Sequence, residues 1–348
     1  MNGVARVIIC VLFVSSSAHY QKIAKKRGEV SFDQYLRYQE IQDYLNRLNV
    51  THNKLVAVIN YGVSNENRNL TAIKISTGGR NRKPLIFVDA GIHAREWISP
   101  AQALYLINQL VENPNATSFS RNVDWLIIPL VNPDGYEYTH TADRFWRKNR
   151  AKGRLCRGVD LNRNFDFQWS QAGASDDECS STYAGPRAFS EPESVALSTL
   201  IAENAHRIKL YVSFHAAAQS ILYPWGYTEG LPNNGRELHK LAAQVSDAVH
   251  QLHGTEYRVG TFANILYLGS GTSCDWAYSV ANVKLAYTIE LRGSNLTHKS
   301  RFEIPTNNIF TVVSEMFEGL KALHLYVEWK NSPYDPFMSR LKRWSLFV

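Results

Sequence analysis

The sequence predicts an α/β fold: a single domain whose mixed, mostly parallel sheet carries helices on both faces. Three observations point there. Short apolar runs at 84–89 and 123–131 lack the polar alternation of a half-exposed strand and read as strands covered on both sides. Longer segments with apolar residues at three- and four-residue spacing fall between such runs, the strand–helix alternation of a parallel sheet. No repeat, low-complexity stretch or linker interrupts residues 31–326.

The elements follow in order. Residues 31–48 place Phe32, Tyr35, Leu36, Ile41, Tyr44 and Leu45 at helical spacing. Residues 55–59 and 70–75 read as strands joined by a hairpin-like connection. Ser99 is expected to cap a helix with Pro100 in its first position, and residues 101–111 supply its apolar face. Ser190-Glu-Pro-Glu193 has the spacing of a capping box and opens a helix running to about residue 204. Strands are expected at 208–214 and 283–291, and helices at 234–252 and 306–326. Two prolines and a basic-aromatic run then mark residues 327–348 as a loose C-terminal tail.

With 45% hydrophobic and 20% charged residues, the chain is not a disordered, collagenous or coiled-coil protein. Its net charge of +7 would suggest a nucleic-acid partner if it lay on the folded body. It does not: Arg6, Lys22, Lys25, Lys26 and Arg27 at one end, and the tail at the other, hold the excess, leaving residues 28–330 neutral. No nucleic-acid partner is expected.

Arg6, the apolar run 7–14 and the small residues Ser16-Ser17-Ala18 have the order of a secretory signal, giving a leader at 1–18 and a short basic segment at 19–30. The apolar run is too short to span a bilayer, so an exported chain without a membrane anchor is expected. Sequons at Asn49, Asn69, Asn115 and Asn295 suit export and glycosylation. In an oxidising compartment Cys156 and Cys179 are the natural disulfide pair, while Cys274 is either a plain buried thiol or part of a site.

In such a fold, function collects beyond the carboxyl ends of strands. His93 and Glu96 follow the strand at 84–89, His215 follows the one at 208–214, and Glu290 lies near the end of 283–291. His-x-x-Glu can put an imidazole and a carboxylate on one metal ion, and a catalytic zinc needs three protein ligands plus an open position. The motif alone is weak, since His253-Gly-Thr-Glu256 also matches. That copy sits at a helix end, with Gly254 as C-cap and no strand before it, and reads as structural. His-Glu-x-x-His, Gly-x-Ser-x-Gly and the phosphate-binding P-loop are all missing.

The phrases around these residues are Ala90-Gly-Ile-His93-Ala-Arg95-Glu96-Trp97, Phe145-Trp-Arg147-Lys-Asn-Arg150, Gly158-Val-Asp-Leu-Asn162-Arg163-Asn164, Ser213-Phe-His215, Ser273-Cys-Asp-Trp276 and Ile289-Glu290-Leu-Arg292. In them the chain resembles the zinc metallocarboxypeptidases of the digestive carboxypeptidase A/B family, over about residues 30–326. The resemblance implies one Zn²⁺ per chain on His93, Glu96 and His215, with Glu290 as general base and Arg147 as the cation that stabilises the oxyanion. It implies that Asn162, Arg163 and Tyr267 grip the terminal carboxylate of a peptide or protein substrate, and that Arg95 is a secondary substrate contact. The Cys156–Cys179 pair matches a family disulfide, and a monomeric, secreted exopeptidase is the implied protein.

Three departures stand out. Digestive members carry a folded inhibitory pro-segment where this chain has the short basic segment. Ala217, two residues after His215, replaces a tyrosine that lines the family's cleft, which widens the space for residues upstream of the cleaved bond. Cys274 stands at the floor of the pocket for the C-terminal side chain, where basic-preferring members have an acid. The resemblance implies that Leu222, Gly226, Phe262, Leu266, Gly269 and Thr288 line the same pocket; none is charged, and apolar or aromatic C-terminal residues are the expected preference.

Overall fold

Eight strands form one sheet in the order β1-β2-β4-β3-β5-β8-β6-β7. They are β1 (Val56–Val63), β2 (Asn69–Ile75), β3 (Leu85–Ala90), β4 (Asp124–Ile128), β5 (Ile208–Ala216), β6 (Ser220–Tyr223), β7 (Arg258–Thr261) and β8 (Ala286–Leu291). The central strands β4, β3, β5 and β8 run parallel. Antiparallel pairing appears at β1–β2, β2–β4 and β6–β8. The computed structural model describes residues 30–79, 83–113, 116–294 and 298–332. The expected leader, the basic segment through residue 29, the tail beyond residue 332 and the sequons at Asn115 and Asn295 lie outside them.

The helices are α1 (Tyr38–Thr51), α2 (Ile98–Val111), α3 (Pro133–Thr141), α4 (Pro192–Asn204), α5 (Gly235–His253), the single turn α6 (Phe262–Ile265), α7 (Ser273–Ser279) and α8 (Ile309–Lys330). Packing of α2 on β3, β5 and α8, and of α8 on α5, builds one helical layer; α4 on β1 and α7 on β5 and β8 build the other. Every residue of β3 and β8 is buried, including Asp89, Thr288 and Glu290 near their carboxyl ends. Among the described residues no helix is long and apolar enough to cross a membrane.

The structure corrects four element ends. The first helix starts at Tyr38 rather than residue 31, because Glu137 accepts the Tyr38 N–H and the Arg37 guanidinium at its start. Phe32 and Tyr35 precede it and pack on Tyr105 and Trp97 instead. Ser99 lies inside α2, where its hydroxyl accepts the Gly91 N–H at 3.0 Å. The N-cap of α4 is Glu191, with Pro192 in the first turn; Ser190 donates to the Glu191 carboxylate and Glu193 reaches Asn65 and Asn149, so no capping box forms. The last helix runs on to Lys330, since Val327 is buried and Tyr326 and Lys330 both bind Glu237. Gly254 does cap α5, at φ 71°.

Candidate metal centre and active-site cleft

The carboxyl end of β3 opens into a tight loop at Gly91, whose φ of 68° suits glycine and where a Cβ would meet Leu130 at 2.7 Å. Asn132 anchors this loop from below, donating to the carbonyls of Ile92 and Lys148. The Ala94 N–H donates to the Arg147 carbonyl. One asparagine and one backbone bond thus lock the His93–Glu96 loop to the segment carrying Arg147.

His215 comes from the end of β5. Its Nδ1 lies 3.1 Å from His93 Nδ1 and 3.2 Å from Glu96 Oε2. His93 Nδ1 lies 2.9 Å from Glu96 Oε1. Three buried residues therefore point one nitrogen, one nitrogen and one carboxylate at a common point. Burial, then Arg147, lowers the His93 pKa and keeps its ring neutral, the form that binds metal. Burial also works against charge on His215, yet Glu96 raises its pKa overall. The common point thus favours a positive charge, and an N,N,O donor set suits zinc. Glu96 is further fixed by the Ala216 N–H at 3.0 Å.

Asp160, not singled out from the sequence, organises this centre. It is fully buried, accepts from His93 Nε2 at 3.1 Å, and pairs with Arg147 Nη2 at 2.9 Å. Burial opposes its ionisation, but Arg147 and then His93 hold it well below the usual carboxylate range. Burial likewise opposes charge on Arg147, and Asp160 more than reverses that. The local signal was legible: Asp160 accepts the Asn162 N–H at 3.0 Å, the Asx turn that Asp favours.

Glu290 stands beside His215 on β8, 8% exposed. Burial, then the charge on Glu96, pushes its pKa up to about 7, with His215, Arg147 and Arg301 pulling the other way.

On the far side of Arg147, the Leu161–Arg163 turn places Arg163 at 0% exposure. Arg163 Nε donates to the Gly173 carbonyl and Nη1 to the Asn162 carbonyl, while Nη2 has no partner. Asn162 accepts the Ser273 N–H. The ring of Tyr267 lies 5.9 Å from the Arg163 guanidinium carbon, and the residue is half exposed.

The Gly269 N–H donates to the Gly226 carbonyl. Cys274 and Thr288 are both buried. Burial, then Asp275, raises the Cys274 thiol well above its usual range. The Asp275 carboxylate, also missed by sequence reasoning, accepts the N–H groups of Gly226 and Tyr227. The Arg95 guanidinium carbon lies 4.5 Å from the Phe302 ring centroid. Cys156 and Cys179 form a disulfide with Cα atoms 5.1 Å apart. The structure thus brings His93, Glu96, His215, Glu290 and Arg147 together, with Arg163 beside Tyr267 and Tyr267 within electrostatic range of Arg147.

Comparison with known proteins agrees with this arrangement. A family described as zinc carboxypeptidase matches residues 41–319. The chain is 43% identical to carboxypeptidase B of Astacus astacus over 84% of this chain and 97% of that one. It is 36% identical to carboxypeptidase A2 of Rattus norvegicus, over 89% and 74%. The crystal structure of carboxypeptidase A from Helicoverpa armigera superposes with a TM-score of 0.84 at 34% identity, covering 90% of this chain and 78% of that one.

Proposed function

Since the chain belongs to the zinc carboxypeptidase family and is a metallocarboxypeptidase, we propose that it is an exported exopeptidase that removes apolar or aromatic C-terminal residues from peptides, with Glu290 as general base. The observation that carries the reading is the convergence of His93 Nδ1, His215 Nδ1 and Glu96 beside Glu290.

His93, Glu96 and His215 would hold Zn²⁺, which when bound supplies a Lewis acid and an acidified water. The chain's own groups do the rest. Glu290 accepts the proton of the attacking water and returns it to the leaving amine. Arg147, held ionised by Asp160, faces the developing oxyanion as a preorganised donor. Arg163 offers its unpaired Nη2 to the substrate's terminal carboxylate, joined by Asn162 and the Tyr267 hydroxyl; a guanidinium matches that group's planar geometry. Arg95 contacts the substrate farther upstream.

The side-chain preference rests on Cys274. A neutral thiol gives a lysine or arginine end no counter-charge, and burying an unpaired charge costs several kcal/mol. The Asp275 carboxylate is engaged by backbone N–H groups. Export is supported by the order of charge, apolar run and small residues at 1–18.

Digestion of a peptide panel varied at the C-terminal residue, with and without a zinc chelator, tests the reading. Release of Phe, Tyr, Leu, Ile or Met in preference to Lys or Arg, abolished by chelator and restored by zinc, is expected. Full activity in protein proven metal-free by elemental analysis overturns it.

A further inference from the structure

Two arginines near the candidate metal centre feel the carboxylates of Glu96, Asp160 and Glu290 at longer range. Arg95 and Arg301 lie against the same aromatic ring, their guanidinium carbons 4.5 and 5.2 Å from the Phe302 centroid. Phe302 is buried and Arg301 is exposed. Among the described residues, neither arginine pairs with a carboxylate, and Arg95 Nε is buried without any hydrogen-bond partner. Arg144, which also lies here, is fully engaged: it donates to the carbonyls of Arg95 and Phe302 and stacks 3.7 Å over Trp97. Glu303 acts on Arg144.

The position of this pair along the cleft follows from its neighbours. Arg147 lies within electrostatic range of Tyr267 on one side and of Arg95 on the other, and Arg301 lies within range of Arg95 and Glu290. The cleft therefore runs from the carboxylate grip at Arg163 and Tyr267, past Arg147, to Arg95 and Arg301. A peptide whose C-terminal residue fills the pocket carries its upstream residues toward the two arginines. Ala217, half buried and two residues past His215, packs close to Gly293, where an added Cβ would lie 2.7 Å from Ala217 Cβ and 2.5 Å from the Arg301 carbonyl, so the Arg301 backbone lies near the end of β5. The Arg301 backbone is fixed by its carbonyl accepting the Ser294 N–H at 3.0 Å.

We propose that Arg301, together with Arg95, forms a subsite that selects peptides with an acidic side chain at one of the two residues upstream of the cleaved bond. The inference rests on the exopeptidase reading above. An unpaired guanidinium pair beside an alanine is an anion acceptor: a Glu or Asp side chain would make charge-assisted hydrogen bonds that glutamine cannot match and lysine would be repelled by.

The test uses blocked tetrapeptides ending in Phe, with Glu, Gln or Lys at the penultimate position or the one before it. The zinc-loaded protein should show a kcat/KM for Glu over Gln of about fivefold at one of these positions, the scale of a partly exposed ion pair. The ratio should shrink as salt is raised. Arg301→Gln should bring the ratio toward one, and Arg301→Glu should reverse it in favour of Lys. Folding of both variants is checked by circular dichroism. A Glu/Gln ratio near one in the wild type, or one unchanged in both variants, overturns the subsite. If no peptide is hydrolysed, the exopeptidase reading falls, and binding titrations with the same peptides decide the subsite: equal affinity for Glu and Gln peptides overturns it, tighter binding of Glu peptides lost in Arg301→Glu supports it.

Discussion

His215 and Glu290 are register partners on the adjacent parallel strands β5 and β8. Neighbouring strands lie about 4.8 Å apart, and residues in register project to the same face. The proposed metal ligand His215 and the proposed base Glu290 are therefore set side by side by backbone pairing alone. In the proposed mechanism this pairing would put Glu290 beside the group that His93, Glu96 and His215 would hold.

Glu290→Gln should retain zinc and peptide binding but lose most turnover, because the amide keeps the shape and cannot accept a proton. General acid–base catalysis contributes about 10²–10⁴-fold. A loss of kcat smaller than tenfold, with zinc content equal to wild type, would assign the base elsewhere.

Asp160→Asn should weaken zinc affinity about 10–100-fold, the usual effect of removing a group that orients a ligand histidine. The same change leaves Arg147 as a buried charge without its partner and should lower the denaturation midpoint. Chelator competition and urea unfolding measure the two effects separately. Wild-type affinity in the variant would show that His93 is oriented by its loop instead.

Glu193 gives the fold a pH dependence of its own. It is fully buried and its oxygens accept from the Asn65 N–H and the side-chain amide of Asn149. Burial pushes its pKa from near 4.5 up to about 7, and the charge on Asp134 adds to this. The folded state thus holds this proton more tightly than the unfolded state. Its contribution to stability is complete below pH 4.5 and is lost as pH rises through 7, by up to roughly 3 kcal/mol. His93 and His140, lowered chiefly by burial, act in the opposite sense over part of this window, so the informative quantity is a difference. The stability of Glu193→Gln minus wild type, from urea unfolding, should grow between pH 5 and 8. A difference independent of pH would contradict the shift.

The central strands were legible from local sequence, and the candidate metal centre from the strand ends together with the family resemblance. The runs at 84–89, 208–214 and 283–291 are apolar enough to be strands in any context, and their carboxyl ends name His93, His215 and Glu290. The Cys156–Cys179 pair was legible because few alternatives existed. What the sequence hid were polar groups claimed by distant partners. Ser99 and Ser190 look like caps, but Gly91 takes one hydroxyl and Glu191 and Asn164 engage the other. Asp160 and Asp275 acquire their roles only when burial sets them against His93, Arg147 and the Gly226 backbone. The short strands β6 and β7 have four residues each, too few for a period to declare itself.

The C-terminal side-chain preference turns on Cys274, which the structure buries at 5% exposure within the core cluster that includes Trp276 and Tyr287. Its thiol is held neutral by burial. A buried aromatic or aliphatic end gains roughly 1.5–3 kcal/mol, whereas a lysine or arginine end would lose hydration and meet near Cys274 an Asp275 carboxylate already engaged by backbone N–H groups. Together these favour the apolar end by about a hundredfold in kcat/KM, on the order of 3 kcal/mol. Cys274→Asp should invert the order by placing a carboxylate where a cationic end arrives, and the new acid gains from that pairing what it loses to burial. Because Asp275 and Asp89 already put negative charge near this thiol, part of the introduced acid will stay protonated at neutral pH. The inversion should therefore sharpen as pH is raised toward 8. Wild-type preference for Lys or Arg in the peptide panel, or a Cys274→Asp variant that still prefers Phe at pH 8, would mean that the end of the substrate reaches a different floor.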